Sequence, residues 1–150
     1  MEIKDLKKVI DFKWRVQSAN QYGASCVAYI DSRQVQDLLD EVCGIENWQS
    51  RFLDVKGNLF CEIGIKINNE WVWKSDCGVE SNIEKEKGES SDSFKRAAVM
   101  WGVGRFLYSQ KIVKLPTKQE NGKWIPFSEK TGKFVKDAKS ITAWCNQLNK

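Results

Sequence analysis

The sequence predicts an α+β fold. An antiparallel β-hairpin and a three-stranded meander pack on a long helix, in the order β-β-α-β-β-β-α, and a C-terminal hairpin and helix follow. Three observations carry this expectation. Apolar residues recur with helical spacing after residue 31, alternate strictly over 58–68, and crowd both sides of a helical wheel over 92–108. At 150 residues, with 41% hydrophobic and 11% aromatic side chains, the chain has the size and composition of one folded domain. We expect a core over 1–116 and a basic hairpin and helix over 117–150, within the same domain or as an appendage.

Residues 2–10 read as a short helix, with Ile3, Leu6, Val9 and Ile10 on one side. Residues 12–18 and 25–30 read as extended, with Tyr22-Gly23 in the turn between them. Asp31 or Ser32 can cap the next helix, where Val35, Leu38, Leu39 and Val42 follow the i, i+3, i+4, i+7 rule and Gly44 ends it. Strands are expected over 48–56, 58–68 and 71–78, turned at Gly57-Asn58 and Asn68-Asn69. Residues 81–91 are charged and read as a loop or flexible hairpin. The helix over 92–108 carries Phe94, Ala97, Ala98, Trp101 and Tyr108 on one stripe, with Val99, Val103, Phe106 and Leu107 opposite. Burial on both sides would call for a second layer or a neighbouring subunit. Beyond Pro116, residues 123–127 and 131–135 can pair, and 137–148 form a last helix.

Composition narrows the chemistry. There is no histidine, which removes Ser-His and Cys-His catalysis and histidine metal ligation. Cys26, Cys43, Cys61, Cys77 and Cys145 form no C-x-x-C pair, so reduced, mostly buried thiols are expected, with no metal and no cofactor. No apolar run reaches the ~18 residues of a membrane span, and the mixed-charge start lacks a signal-peptide core, so a cytoplasmic protein is expected. Residues 111–139 hold eight lysines against three acids, whereas residues 1–110 carry a slight acidic excess. That asymmetry favours a nucleic-acid partner. Lys95 and Arg96 sit together near the expected start of an apolar helix. Cations oppose the macrodipole there, yet the free N–H groups of that end can hold an anion. The pair is either a solvated face or a contact for a nearby polyanion.

The segments YIDSRQVQDLLDEVCGIENW, KSDCGVES and SDSFKRAAVMWGVGRFLY, with the later KLP, resemble in order and spacing the Rad52 family of single-strand annealing proteins, above all its small phage and bacterial members. The likeness covers about residues 12–116. It implies a ring or filament of subunits that holds single-stranded DNA in a basic groove with its bases exposed, in recombination and repair. A host or phage single-strand-binding protein is a further implied partner. Carried over residue by residue, the groove would be lined by Lys95 and Arg96, by Lys87, by Tyr29 and, more loosely, by Arg15. Val99 stands where some members carry another groove arginine, and Asn68 and Asn82 do not supply the lysines of an outer site.

Annealing so implied needs neither ATP nor metal. Lysine and arginine would neutralise phosphates without reading sequence, and Tyr29 would stack on a base or sugar or donate to phosphate. Arg105 is expected in an ion pair with Asp76 or Glu80. Trp48, Trp71, Trp73 and Trp101 are expected in core or subunit packing, and Trp124, among lysines, in DNA or interface contact. Two alternatives stay open. A metal-dependent nuclease could use Asp54, Glu62, Lys66, Asp76 and Glu80, although the Glu62–Lys66 spacing misses the Glu-x-Lys signature. A protein-binding adaptor could use exposed strand edges.

Overall fold

In a computed structural model of the chain, residues 2–78 and 85–150 are described, with side chains for all of them except 85–87. The chain divides into two compact units, one of residues 1–10 and 31–106, the other of residues 11–30 and 107–150.

The first unit opens with a 3-10 turn over Ile3–Lys7 in place of the expected helix. Only Leu6 of this segment is buried, Val9 is 68% exposed, and Lys8 already leaves with extended backbone. One anchored residue does not hold a longer amphipathic helix in place. Helix α1 then runs over Ser32–Cys43. Asp31 caps it reciprocally: its carboxylate accepts the Gln34 N–H at 2.9 Å, and the Gln34 side chain accepts the Asp31 N–H at 3.0 Å. The apolar stripe is buried at Val35, Leu38, Leu39 and Cys43.

The meander is β3 (Trp48–Val55), β4 (Asn58–Ile67) and β5 (Glu70–Cys77), antiparallel with β4 in the centre. Lys56-Gly57 and Asn68-Asn69 both take positive φ, the two-residue turn that matches strand twist. Alternation puts Cys61, Ile63 and Ile65 of β4 on the buried face. Helix α2 (Lys85–Met100) packs there through Phe94, Ala97 and Ala98, and Trp101 follows at its end.

Both ends of α2 differ from expectation. The helix starts at Lys85, within the charged stretch that reads as loop. Glu89 explains part of this, because its carboxylate accepts the Leu59 N–H at 3.2 Å. The helix stops at Met100 and not at 108. Gly102 and Gly104 take φ of 104° and 80°, which L side chains rarely adopt, and a 3-10 turn over Arg105–Ser109 follows. Val103, Phe106, Leu107 and Tyr108 therefore lie beyond the helix, and its two-sided apolar face does not exist.

The second unit is built on β1 (Lys13–Asn20), β2 (Gly23–Tyr29) and β6 (Val113–Leu115), with β2 central. A register shift between Val16 and Ser18 leaves Gln17 as a bulge. A second sheet joins β7 (Thr117–Glu120), β8 (Lys123–Ser128) and β9 (Lys133–Phe134). Asn121-Gly122 forms the β7–β8 turn, with φ of 51° and 80°. Helix α3 (Ala138–Leu148) is capped by Asp137, which accepts the Ser140 N–H at 2.9 Å. Trp14 is fully buried against α3. Its indole N–H donates to Asn146 at 2.8 Å and its backbone N–H to the Thr142 hydroxyl at 3.0 Å. Ala24, Cys26, Val113, Leu115, Ile141 and Cys145 complete this core.

Replacing Asp31 by Ala removes a reciprocal cap and is expected to cost about 1 kcal/mol, read as a lower urea midpoint at unchanged slope. Burial, and then the neighbouring Cys26 thiol, push Cys145 from 9.0 up to about 12. An unfolded thiol ionises first, so the stability contributed by neutral Cys145 is intact below pH 9 and declines as pH rises toward 12. The urea midpoint of the wild type is expected to fall more between pH 8 and pH 10.5 than that of Cys145→Ala.

Candidate nucleic-acid interface

Helix α2 carries the first cationic group. Ser93, fully buried, orients this stretch of helix. Its hydroxyl accepts the Gly78 N–H at 3.0 Å and lies 2.8 Å from the Leu59 carbonyl and 2.7 Å from the Glu89 carbonyl. Phe94, Ala97 and Ala98 then face the sheet, which leaves Lys95 half-buried and Arg96 exposed on the other side. Arg96 donates to the Asp92 carboxylate at 3.1 Å, one helical turn earlier. An exposed i, i+4 pair is worth only about 0.3–0.5 kcal/mol, so a phosphate can replace that carboxylate at little cost.

The position of Lys95 and Arg96 corrects one expectation. They lie in the second half of α2, far from its N-terminus at Lys85, so free helix N–H groups do not contribute to this site. Lys87 lies in the first turn of α2, and its side chain is outside the described residues.

The second unit presents a different cationic face. Trp14, Ala24, Cys26, Val113 and Leu115 point to the core, so alternation sends Lys13 and Arg15 of β1, Ser25, Val27 and Tyr29 of β2, and Lys114 of β6 to the other side. Lys13 pairs with Tyr29, Arg15 with Val27, and Ser25 with Lys114. The Arg15 guanidinium sits 5.2 Å from the centre of the half-buried Tyr29 ring. A guanidinium stacked on a ring can still donate in its own plane to an anion. The three strands contain no Asp or Glu. Sequence reasoning found Arg15 and Tyr29 but missed Lys13 and Lys114. Their signal was the alternation Lys13-x-Arg15 and the lysine between two apolar residues in Val113-Lys114-Leu115.

Other expected roles change. Among the described residues Arg105 forms no ion pair, Asp76 included. Its Nε donates to the Val99 carbonyl at 2.8 Å and its Nη2 to the Met100 carbonyl at 3.0 Å, which caps α2; Glu80 lies outside the described residues. Trp101 is buried and donates to the Ile63 carbonyl at 2.9 Å, and Trp48 donates to Asp40 at 2.6 Å. Trp71 and Trp73 lie on the outer face of the meander, outside the core. Trp73 covers Gly64, and Arg51 stacks 3.9 Å from its ring centre. The nuclease acids among the described residues, Asp54, Glu62 and Asp76, do not converge. Glu62 pairs with Arg51 on the outer face, Asp76 is on the α2 side opposite Cys61, and Asp54 accepts the Gly57 N–H. Among the described residues no group of three Asp, Glu, Cys or His could hold a metal ion. Among them, too, no helix is long and apolar enough to cross a membrane.

Residues 2–79 match the Rad52/22 family double-strand break repair protein. The match contains Arg15 and Tyr29 and stops before α2. Among curated proteins, the chain is 29% identical over 119 residues to the single-stranded DNA-binding protein DdrA of Deinococcus radiodurans, covering 72% of this chain and 57% of that one. It is 30% identical to the protein of the same name from Deinococcus deserti, covering 72% of this chain and 59% of that one. The chain thus aligns with less than two thirds of the length of these relatives. No solved structure matches it.

Because Lys95 and Arg96 point away from the sheet, replacing both by Ala is expected to leave the fold intact. Far-ultraviolet circular dichroism should be unchanged, and unfolding free energy should fall by less than about 1 kcal/mol.

Proposed function

We propose that this chain, which belongs to the Rad52/22 family of double-strand break repair proteins, binds single-stranded DNA through its backbone and anneals complementary strands in recombination and repair. The observation that carries the reading is the outer face of β1-β2-β6, three strands without Asp or Glu, where Lys13 and Arg15 stand beside Tyr29 and Lys114 lies opposite Ser25. Phosphate-neutralising cations give salt-sensitive, sequence-tolerant affinity, and a half-buried tyrosine beside them offers a stacking plane. Lys95 and Arg96 on α2 supply a second cationic surface, and Lys87 is a further strand-binding lysine under this reading. The DdrA proteins, named for single-stranded DNA binding, support the same partner.

The reading is non-catalytic and requires neither nucleotide nor metal. Positioning and charge neutralisation suffice, since no bond is made or broken when two strands pair. Strand binding under this reading centres on residues 1–116, with the basic segment 117–150 in the same unit as β1, β2 and β6, and the protein works in the cytoplasm. It also includes self-assembly into a ring or filament. Exposed Phe52, Leu53, Val55, Trp71 and Val72 on the edge strands β3 and β5 support an interface between copies. A host or phage single-strand-binding protein is a further partner under this reading.

The test is annealing of two complementary labelled oligonucleotides in EDTA without ATP. Wild type is expected to accelerate pairing, and Lys95→Ala with Arg96→Ala to lose most of that acceleration while keeping its fold. Absence of acceleration by the wild type would contradict annealing, and an unimpaired double variant would remove α2 from the site. Light scattering is expected to give a mass several times that of one chain.

A further inference from the structure

Neither β7-β8-β9 nor the cleft beside it is used by the reading above, yet both carry the chemistry of a strand contact. In β8 the residues Lys123, Ile125 and Phe127 alternate onto one face. Lys118 of β7 pairs with Ile125, and Phe134 of β9 with Phe127, so both share that face. Phe127 and Phe134 meet edge to face with ring centres 5.1 Å apart, and both are half-buried. The Lys118 ammonium lies 4.3 Å from the Phe127 ring centre, and that of Lys136 lies 5.9 Å from Phe134. One acid, Glu120, shares the face and pairs with Lys136. Below it opens a cleft of about 380 Å³, with Val16, Ile125, Pro126, Val135 and Ile141 among its lining residues. Lys136 also lines it, as do Trp14, Arg15 and Val16 in succession along β1.

We propose that the C-terminal hairpin is a second contact for the same single strand, with unpaired bases stacked on Phe127 and Phe134 and phosphates held by Lys118 and Lys136. This rests on the reading that the chain binds single-stranded DNA. Aromatic planes interleaved with lysines suit a flexible polyanion with exposed π-faces, and nothing on the face reads a base edge. The strand leaves Arg15, crosses the apolar cleft and reaches Lys136. There it displaces the Glu120 carboxylate, as an anion on an exposed lysine can.

The test measures affinity for a fluorescent oligodeoxythymidine by anisotropy across a salt series, and quenching of a 2-aminopurine placed in the strand. Phe127→Leu keeps an apolar side chain in the hairpin but removes the plane, and is expected to weaken binding about tenfold. Lys118→Glu, at an exposed position, is expected to weaken binding and to lower the salt slope by about 0.7 or more. Glu120→Gln releases Lys136 and is expected to tighten binding, a gain that a purely structural role for the hairpin would not produce. If all three variants bind as wild type does while Arg15→Ala binds weakly, the hairpin contact is wrong and the single-strand reading stands. Wild-type protein that does not bind the oligonucleotide overturns both.

Discussion

The anchoring of α2 to the meander is the constraint on which the first unit depends. Two polar groups set it within an apolar contact. Ser93 ties the helix to Leu59 and Gly78, at the ends of β4 and β5, and the Trp101 indole closes on the Ile63 carbonyl in the middle of β4. Between them Phe94, Ala97 and Ala98 lie flat on Cys61, Ile63 and Ile65. The small alanines let the helix approach closely, and the hydrogen bonds satisfy groups that burial would otherwise leave unpaired. Two fixed points determine rotation as well as position. Lys95 and Arg96 consequently face away from the sheet, and their direction follows from the residues that are buried. The end of the helix is fixed too, because Arg105 holds the last carbonyls and Lys74 donates to Met100 at 3.3 Å.

The second unit solves the same problem with a sheet. Trp14 is held by Asn146 and Thr142 of α3, which makes one face of β1 the core and the other solvent. The bulge at Gln17 then resets the register, so that Ser18 and not Gln17 pairs with Ser25. A strand period of two leaves Lys13, Arg15, Tyr29 and Lys114 on one surface without further specification.

How much of this was legible depends on where the controlling contacts are. The meander was legible because its signals are local: strict alternation in β4, and turn residues at Gly57 and at 68–69; the first turn falls at Lys56-Gly57, one residue before the expected Gly57-Asn58. The α1 cap was legible for the same reason. Strand β7 was missed although Asn121-Gly122, the strongest two-residue turn signal, stands in the sequence. The start of α2 was not legible, because Glu89 and Ser91 are held by Leu59 and Ser32, which are distant in sequence. Its end was misjudged because apolar periodicity continues past Gly102 and Gly104. Of the site, Arg15 and Tyr29 could be named beforehand, but their neighbours Lys13 and Lys114 became visible only once the strands were paired.

The functional account rests on charge rather than on reacting groups. The described acids on the meander are taken up by local partners or turned to opposite faces, whereas β1, β2 and β6 carry lysine and arginine and contain no Asp or Glu. Such a surface binds a polyanion by releasing its counterions, so affinity must fall steeply with salt and vary little with sequence. Titration of a labelled single strand against salt, for homopolymeric and mixed sequences of equal length, addresses this most directly. The account predicts parallel lines of negative slope, about 0.7 per phosphate neutralised, with Lys13→Ala, Arg15→Ala and Lys114→Ala each flattening them. A flat salt dependence, or lines that separate strongly by sequence, would contradict it.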